Sequence, residues 1–176
     1  MIIALAGQAD SGKALISRFL QERFDFERMR FSDAPIRMLN AAFGLDEDDF
    51  VREAKHRVLP SIADRTPKYL LKSLAYDWGR RMVCHDVWSI LWLERAGRRD
   101  GARIVADDLR FVDEQEAVRL LQGQVWLIER PSLSSVDAQT EKSLRKLTPD
   151  VVIHNTSSLP ALLFQVEQLL AENGIR

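Results

Sequence analysis

The sequence is short of cysteine, of charge of one sign and of long apolar runs, and each shortage excludes something. Cys84 is the only cysteine among 176 residues, so no intrachain disulfide can form and no cysteine-based zinc pattern is available. Lys and Arg number 25 against 26 Asp and Glu, a net charge of −1. No overall field therefore draws the chain to a nucleic acid polymer or an anionic membrane. No stretch comes near the ~18 apolar residues of a membrane-spanning helix. The opening Met-Ile-Ile-Ala-Leu-Ala-Gly is apolar for less than a secretory segment needs and lacks a basic flank. Glycine and proline are few, 8 and 6, and no linker, repeat or low-complexity segment divides the chain. His56, His85 and His154 lack metal-ligand spacing and read as surface or capping residues, and neither a Gly-x-Ser-x-Gly elbow nor a His-Glu-x-x-His helix is present. With 46% hydrophobic and 29% charged residues, the composition is that of a globular domain. The expectation is one domain in a reducing, cytoplasmic compartment.

What is present alternates. Met1–Ala6 is a short apolar strand, and Leu15, Phe19 and Leu20 fall at helical spacing in a segment ending at Phe24. Arg28–Phe31 reads as a second strand, followed by a helix from Ala34 to Phe43 that Gly44 ends. Asp46 to Arg99 reads as mostly helical. Within it Thr66-Pro67 supplies an N-cap and a first-turn proline. Tyr69, Leu70, Leu74, Trp78 and Met82 make an apolar stripe, and another helix runs from Asp86 to Arg98. Arg103–Ala106 is a strand entering Asp107-Asp108. Glu114–Leu121 is a helix closed by Gly123, Gln124–Ile128 and Val151–Ile153 are strands, and Leu159–Leu170 is a closing helix. Trp78, Trp88 and Trp92 read as core, and Cys84 as structural. Strands alternating with helices predict a parallel sheet covered on both faces. This is a three-layer α/β fold of about five strands, with a core of 1–31 and 101–176 and a helical insertion over 32–100.

The segment Gly7-Gln8-Ala9-Asp10-Ser11-Gly12-Lys13 has the form G-x-x-x-x-G-K between a predicted strand and a predicted helix. A polyphosphate needs converging backbone N–H groups, and the glycines permit the tight curl that converges them. The helix that follows points its positive end at the anion, and Lys13 adds a full charge. After Lys13 the usual Ser or Thr, whose hydroxyl ligates Mg²⁺, is Ala14. Either Mg²⁺ is held through water and other carboxylates, or the site holds nucleotide without turnover; Ser11 and Ser17 are nearby hydroxyls.

A second constellation is Ile104-Val105-Ala106-Asp107-Asp108-Leu109-Arg110. An apolar strand ending in carboxylates suits a metal-assisted phosphoryl-transfer site, and ligands gather at the carboxyl ends of parallel strands. The alternative is an acidic turn in which Asp108 caps the next helix. Arg37, Lys68, Arg80, Arg110, Arg130 and Arg145 form a basic set. Arg37 stands four residues after Asp33 on one helix face, and Arg110 stands beside the acidic pair.

In order along the chain, these segments resemble the deoxynucleoside monophosphate kinases of tailed bacteriophages, a P-loop kinase family. The resemblance spans nearly the whole length. After the phosphate loop it rests on Phe31-Ser32-Asp33-Ala34-Pro35-Ile36-Arg37, Thr66-Pro67-Lys68-Tyr69-Leu70-Leu71, Asp77-Trp78-Gly79-Arg80 and Asp86-Val87-Trp88. It continues through Asp108-Leu109-Arg110-Phe111-Val112-Asp113-Glu114, Arg130-Pro131, Thr140-Glu141 and Asp150-Val151-Val152-Ile153-His154-Asn155. It implies a P-loop kinase fold with a helical substrate region and a lid over about 132–147. The implied reaction passes the γ-phosphoryl group of ATP, with Mg²⁺, to a deoxynucleoside 5′-monophosphate. The partners are then small nucleotides, with a homodimer as an option.

Lys13, Asp108 and Arg110 would be catalytic. The ATP side would hold Gly7 through Ala14 (Gln8, Ala9, Asp10, Ser11 and Gly12 included), Arg130 and Asn155. The substrate side would hold Asp33, Arg37, Lys68, Asp77, Arg80, Trp88, Asp108, Arg110 and Glu114. Lys68 stands where that family more often has arginine, Ala75-Tyr76 where it has Gly-Thr, and Ala138 where it has histidine. A dephospho-coenzyme A kinase-like enzyme and a non-catalytic nucleotide binder are the competing readings.

Overall fold

The computed structural model describes residues 1–131 and 142–175. The chain divides into two compact units, one formed by Met1–Arg30 with Leu93–Arg176 and one by Phe31–Trp92. In the first, strands β1 (Ile2–Ala6), β2 (Phe26–Arg28), β3 (Arg103–Leu109), β4 (Gln124–Glu129) and β5 (Val151–His154) form one sheet in the order β2-β3-β1-β4-β5. Every pairing is parallel. The central β1 is buried along its whole length, which is why it reads as an unbroken apolar run instead of alternating.

Helices α1 (Lys13–Phe24) and α6 (Leu159–Glu172) cover one face. Ile16 and Leu20, then Leu162, Val166 and Leu170, pack there with Ile3, Leu5, Val105, Trp126, Ile128 and Ile153. Helix α5 (Val112–Leu120) covers the other face, where Val118 and Ile2 crowd the Cα of Gly123. The three layers expected from the alternation are present.

One irregularity matters for the site. Ala4 pairs with Ala106 and Ala6 with Leu109, so Asp107 and Asp108 together face the single residue Leu5. This is a β-bulge, a device that re-aims side chains and breaks the strict alternation of a strand.

The second unit starts with α2 (Asp33–Phe43), closed by Gly44 in the left-handed conformation. Residues 46–65 are not helical as expected. They form three short 3₁₀ turns, Glu47–Phe50, Ala54–His56 and Pro60–Ile62, and Arg52, Ala63 and Asp64 take positive φ, which no α-helix tolerates. Thr66 then caps α3 (Pro67–Lys72), its Oγ1 accepting from Tyr69 N at 3.2 Å. The chain continues without a break into a π-helix over Ser73–Val83. Helix α4 (Val87–Gly97) follows, and Trp92 stacks on Phe31 with centroids 4.6 Å apart.

Three further expectations change. The second strand lies at Phe26–Arg28, starting two residues before the expected Arg28–Phe31. Trp88 and Trp92 are core, but Tyr69, Trp78 and Met82 of the expected apolar stripe are exposed. Cys84 is exposed as well, not packed. The three histidines all lie on the surface. Among the described residues no helix is long and apolar enough to cross a membrane.

Candidate active site

The loop Gly7–Gly12 leaves β1 at its carboxyl end and delivers the chain into α1. Its curl demands glycine. Gly7 has φ +143°, and a Cβ there would lie 2.5 Å from the carbonyl oxygen of Ile128. Gly12, the N-cap of α1, has φ +115°, a region closed to ordinary side chains. Asp10 takes φ 60°. No acidic residue lies in the first turn of α1 and no side chain caps it, so its positive end is left to an incoming anion.

Lys13 folds back over this loop. Its Nζ donates to Gly7 O at 2.8 Å and to Gln8 O at 2.6 Å. An ammonium has three N–H bonds, so two brace the loop and the third is left for a ligand oxygen. Burial pushes the Lys13 ammonium down to about 8, the nearby Arg110 guanidinium adds to this, and Asp107, Asp10 and Asp108 oppose it.

Two of the ATP-side residues proposed from sequence reach the loop. Asn155 Nδ2 donates to Ser11 O at 2.9 Å, and Arg130 Nη1 donates to Asp10 O at 3.2 Å. The Ser11 hydroxyl is buried and has no hydrogen-bond partner among the described residues. Ala14 sits exposed in the first turn of α1 and offers only a methyl.

The bulge brings both carboxylates of β3 within electrostatic reach of Lys13. Asp107 is buried and accepts from Arg28 Nε at 2.9 Å. Asp108 is half-buried within β3. Glu114 caps the start of α5: its Oε2 accepts from Arg110 N at 2.7 Å and Phe111 N at 3.1 Å. Glu114 is 4% exposed, and its carboxylate is committed to the turn that carries Arg110. Arg28 was missed from the sequence. A lone basic residue ending a three-residue strand gives no signal until the β2–β3 register sets it beside Asp107.

A tight glycine curl, an uncapped helix start, a buried unpartnered hydroxyl and a lysine with a donor to spare fit a polyphosphate. The motif hydroxyl is missing at Ala14, yet Asp107 and Asp108 supply carboxylate oxygens, the donor type a hard divalent cation takes.

The helical unit carries the remaining substrate-side residues. Asp33 opens α2 and Arg37 is exposed one turn on; Lys68 is exposed in the first turn of α3. Asp77 and Arg80 lie on the π-helix, Asp77 exposed and Arg80 buried with Nη1 donating to His85 O at 2.9 Å. Trp88 is buried, and its Nε1 donates to Ala75 O at 2.7 Å. The expected lid over 132–147 lies outside the described residues as far as 141. From Lys142 the chain is described again, and Thr148 is clamped by Gln115, whose Oε1 accepts from Thr148 N at 2.8 Å.

The sheet order and its loop define a P-loop kinase-like fold. A shikimate kinase from Aquifex aeolicus vf5 superposes with a TM-score of 0.52 at 14% identity, covering 99% of this chain and 98% of that one. A dephospho-CoA kinase from Campylobacter jejuni gives 0.56 at 15% identity over 99% and 98%. These likenesses are of fold. No protein-family model matches the chain. In sequence it is similar to an Acanthamoeba polyphaga mimivirus protein named "Putative deoxynucleotide monophosphate kinase", 24% identical over 183 residues and 94% of each chain. Together these findings are consistent with the resemblance drawn from the motifs.

Proposed function

We propose that the protein transfers the γ-phosphoryl group of ATP to a deoxynucleoside 5′-monophosphate, giving ADP and the deoxynucleoside diphosphate. The observation that carries phosphoryl transfer is the braced loop, in which Lys13 ties down Gly7 and Gln8 and keeps one donor for an anion. The named viral relative supports the acceptor class.

In this reaction the bond from the γ-phosphorus to the β,γ-bridging oxygen breaks and a bond to an acceptor phosphate oxygen forms. That oxygen is already ionised, so no general base is needed; the protein's task is alignment and charge neutralisation. Residues Gly7 to Ala14 hold the triphosphate, with Arg130 and Asn155 supporting the loop. Lys13 and Arg110 offset the charge that spreads over the transferred group, and Asp108 orients the reacting end. With no hydroxyl at Ala14, the carboxylates of Asp107 and Asp108, together with water, would hold Mg²⁺, which would supply further charge neutralisation. Asp33, Arg37, Lys68, Asp77 and Arg80 serve the acceptor. Deoxynucleotide supply in a phage or bacterial host cytosol, by a monomer or a homodimer, is the setting that belongs to this reading.

Purified protein given Mg²⁺-ATP and each deoxynucleoside monophosphate in turn should form the matching diphosphate with at least one of them. Formation of none would overturn the proposal, and consumption of a non-nucleotide acceptor from the same panel would replace it. Ala14 favours one second reading, a nucleotide-holding protein. Calorimetry showing tight ATP binding with no ADP from any acceptor would select that reading.

A further inference from the structure

The π-helix over Ser73–Val83 runs for 11 residues, whereas π geometry is ordinarily a single inserted turn, often at a functional site. Each extra residue in a turn rotates all that follows by about 100° relative to an α-helix. Something must hold so unfavourable a register, and the contacts point to Trp88. Its indole is 4% exposed, and Nε1 donates to Ala75 O inside the π segment at 2.7 Å. A Cβ on Gly79 would run into the ring at Cζ2, Cε2 and Nε1, so the helix backbone approaches the indole at the one residue without a side chain. The Trp78 ring flanks it, with centroids 6.3 Å apart. At the far end Cys84 N donates to Gly79 O at 3.0 Å, a five-residue step that keeps the wide register to the last turn. Arg80, next to Gly79, is buried and tied to His85 O.

We infer that Trp88 and Gly79 form a lock and its socket. They are positioning residues that hold Ser73–Val83 in the π register and so fix the direction in which Asp77 and Arg80 meet the acceptor nucleotide. Trp88 acts through the helix. Any buried indole N–H seeks an acceptor; what sets this one apart is that its acceptor, Ala75 O, lies inside the π segment and that a glycine of the same segment stands against its ring. The inference rests on the kinase reading above for the identity of the ligand.

Trp88→Phe keeps most of the ring and removes the donor; Gly79→Ala keeps the donor and fills the socket. Each should raise the KM for the deoxynucleoside monophosphate, and its Kd by calorimetry without ATP, about tenfold, the scale of misaligning one contact to the acceptor. The kcat should stay within about twofold and the KM for ATP should not move. Amide hydrogen exchange across Ser73–Val83 should quicken in both variants, with or without nucleotide. Variants that melt lower but keep the acceptor KM and Kd would reduce Trp88 to core packing and overturn the inference, as would unchanged exchange across the segment. Failure of the kinase reading looks different: the unaltered protein would itself neither bind nor phosphorylate any deoxynucleoside monophosphate, and hydrogen exchange would still judge the lock.

Discussion

Arg28 at the end of β2 donates its Nε–H to Asp107 on β3 at 2.9 Å, and the Asp107 side chain is only 6% exposed. The pair ties the edge strand to the bulge that stands beside Lys13. Arg28→Ala leaves a buried carboxylate without this partner, at a cost of about 1–3 kcal/mol, which lowers the melting temperature by several degrees. Turnover should fall with it, because Asp107 is held next to the phosphate loop. Arg28→Lys should recover part of both. Thermal melts and a coupled ADP assay check this; an Ala variant that keeps full stability and rate would remove the pair from the site.

Lys13 sets a pH dependence with a definite sign. Its folded value of about 8 lies below the ordinary 10.5, so between these limits the unfolded chain holds more protons than the folded one. Stability of the nucleotide-free protein from this group therefore rises with pH through that window. Lys13→Ala should abolish that rise and nearly all transfer activity, while leaving the melting temperature at pH 7 little changed. Denaturant titrations at pH 7.5 and 10 test the sign. Nucleotide binding near pH 9 should also take up a proton, read by calorimetry in buffers of different ionisation heat.

Ser11 offers a separate check. Its buried hydroxyl has no partner among the described residues, so Ser11→Ala removes a desolvated polar group and no hydrogen bond. The nucleotide-free variant should be as stable as the parent or slightly more so. If the hydroxyl finds a partner only when nucleotide tightens the loop, the stabilisation gained on adding ATP should shrink. An Ala variant that unfolds several degrees earlier without nucleotide would show the hydroxyl to be structural.

Ala14→Ser restores the hydroxyl that the motif lacks. The first turn of α1 is exposed at this position, so the added oxygen meets no steric barrier. It should tighten divalent-metal binding in the presence of ATP and raise the rate at low Mg²⁺ by several-fold. A titration of rate against Mg²⁺ concentration that shows no shift would mean that the carboxylates of β3 already suffice.

The parts of the site visible in the sequence are those set by neighbours along the chain. Gly7, Gly12 and Lys13 dictate a curl whatever the rest of the fold does, and Thr66-Pro67 starts a helix on local grounds. The parts that stayed hidden depend on register or packing. Asp107 and Asp108 look equivalent as letters; the deeper burial of Asp107 and its ion pair with Arg28 distinguish them. Glu114 reads as a substrate-side residue, and nothing in the letters tells that its carboxylate holds Arg110 N. The stripe from Tyr69 to Met82 has near-helical spacing but gave no warning of a π-helix, because that register comes from Trp88, outside the segment.

The strand that launches the phosphate loop is the most enclosed in the sheet, flanked on both sides and covered above and below. A grip hung from so stiff a beam has little freedom to slacken gradually on warming. Loss of nucleotide affinity and collapse of the whole sheet should therefore arrive at one temperature, as a single cooperative event and not as a softening followed by a fall.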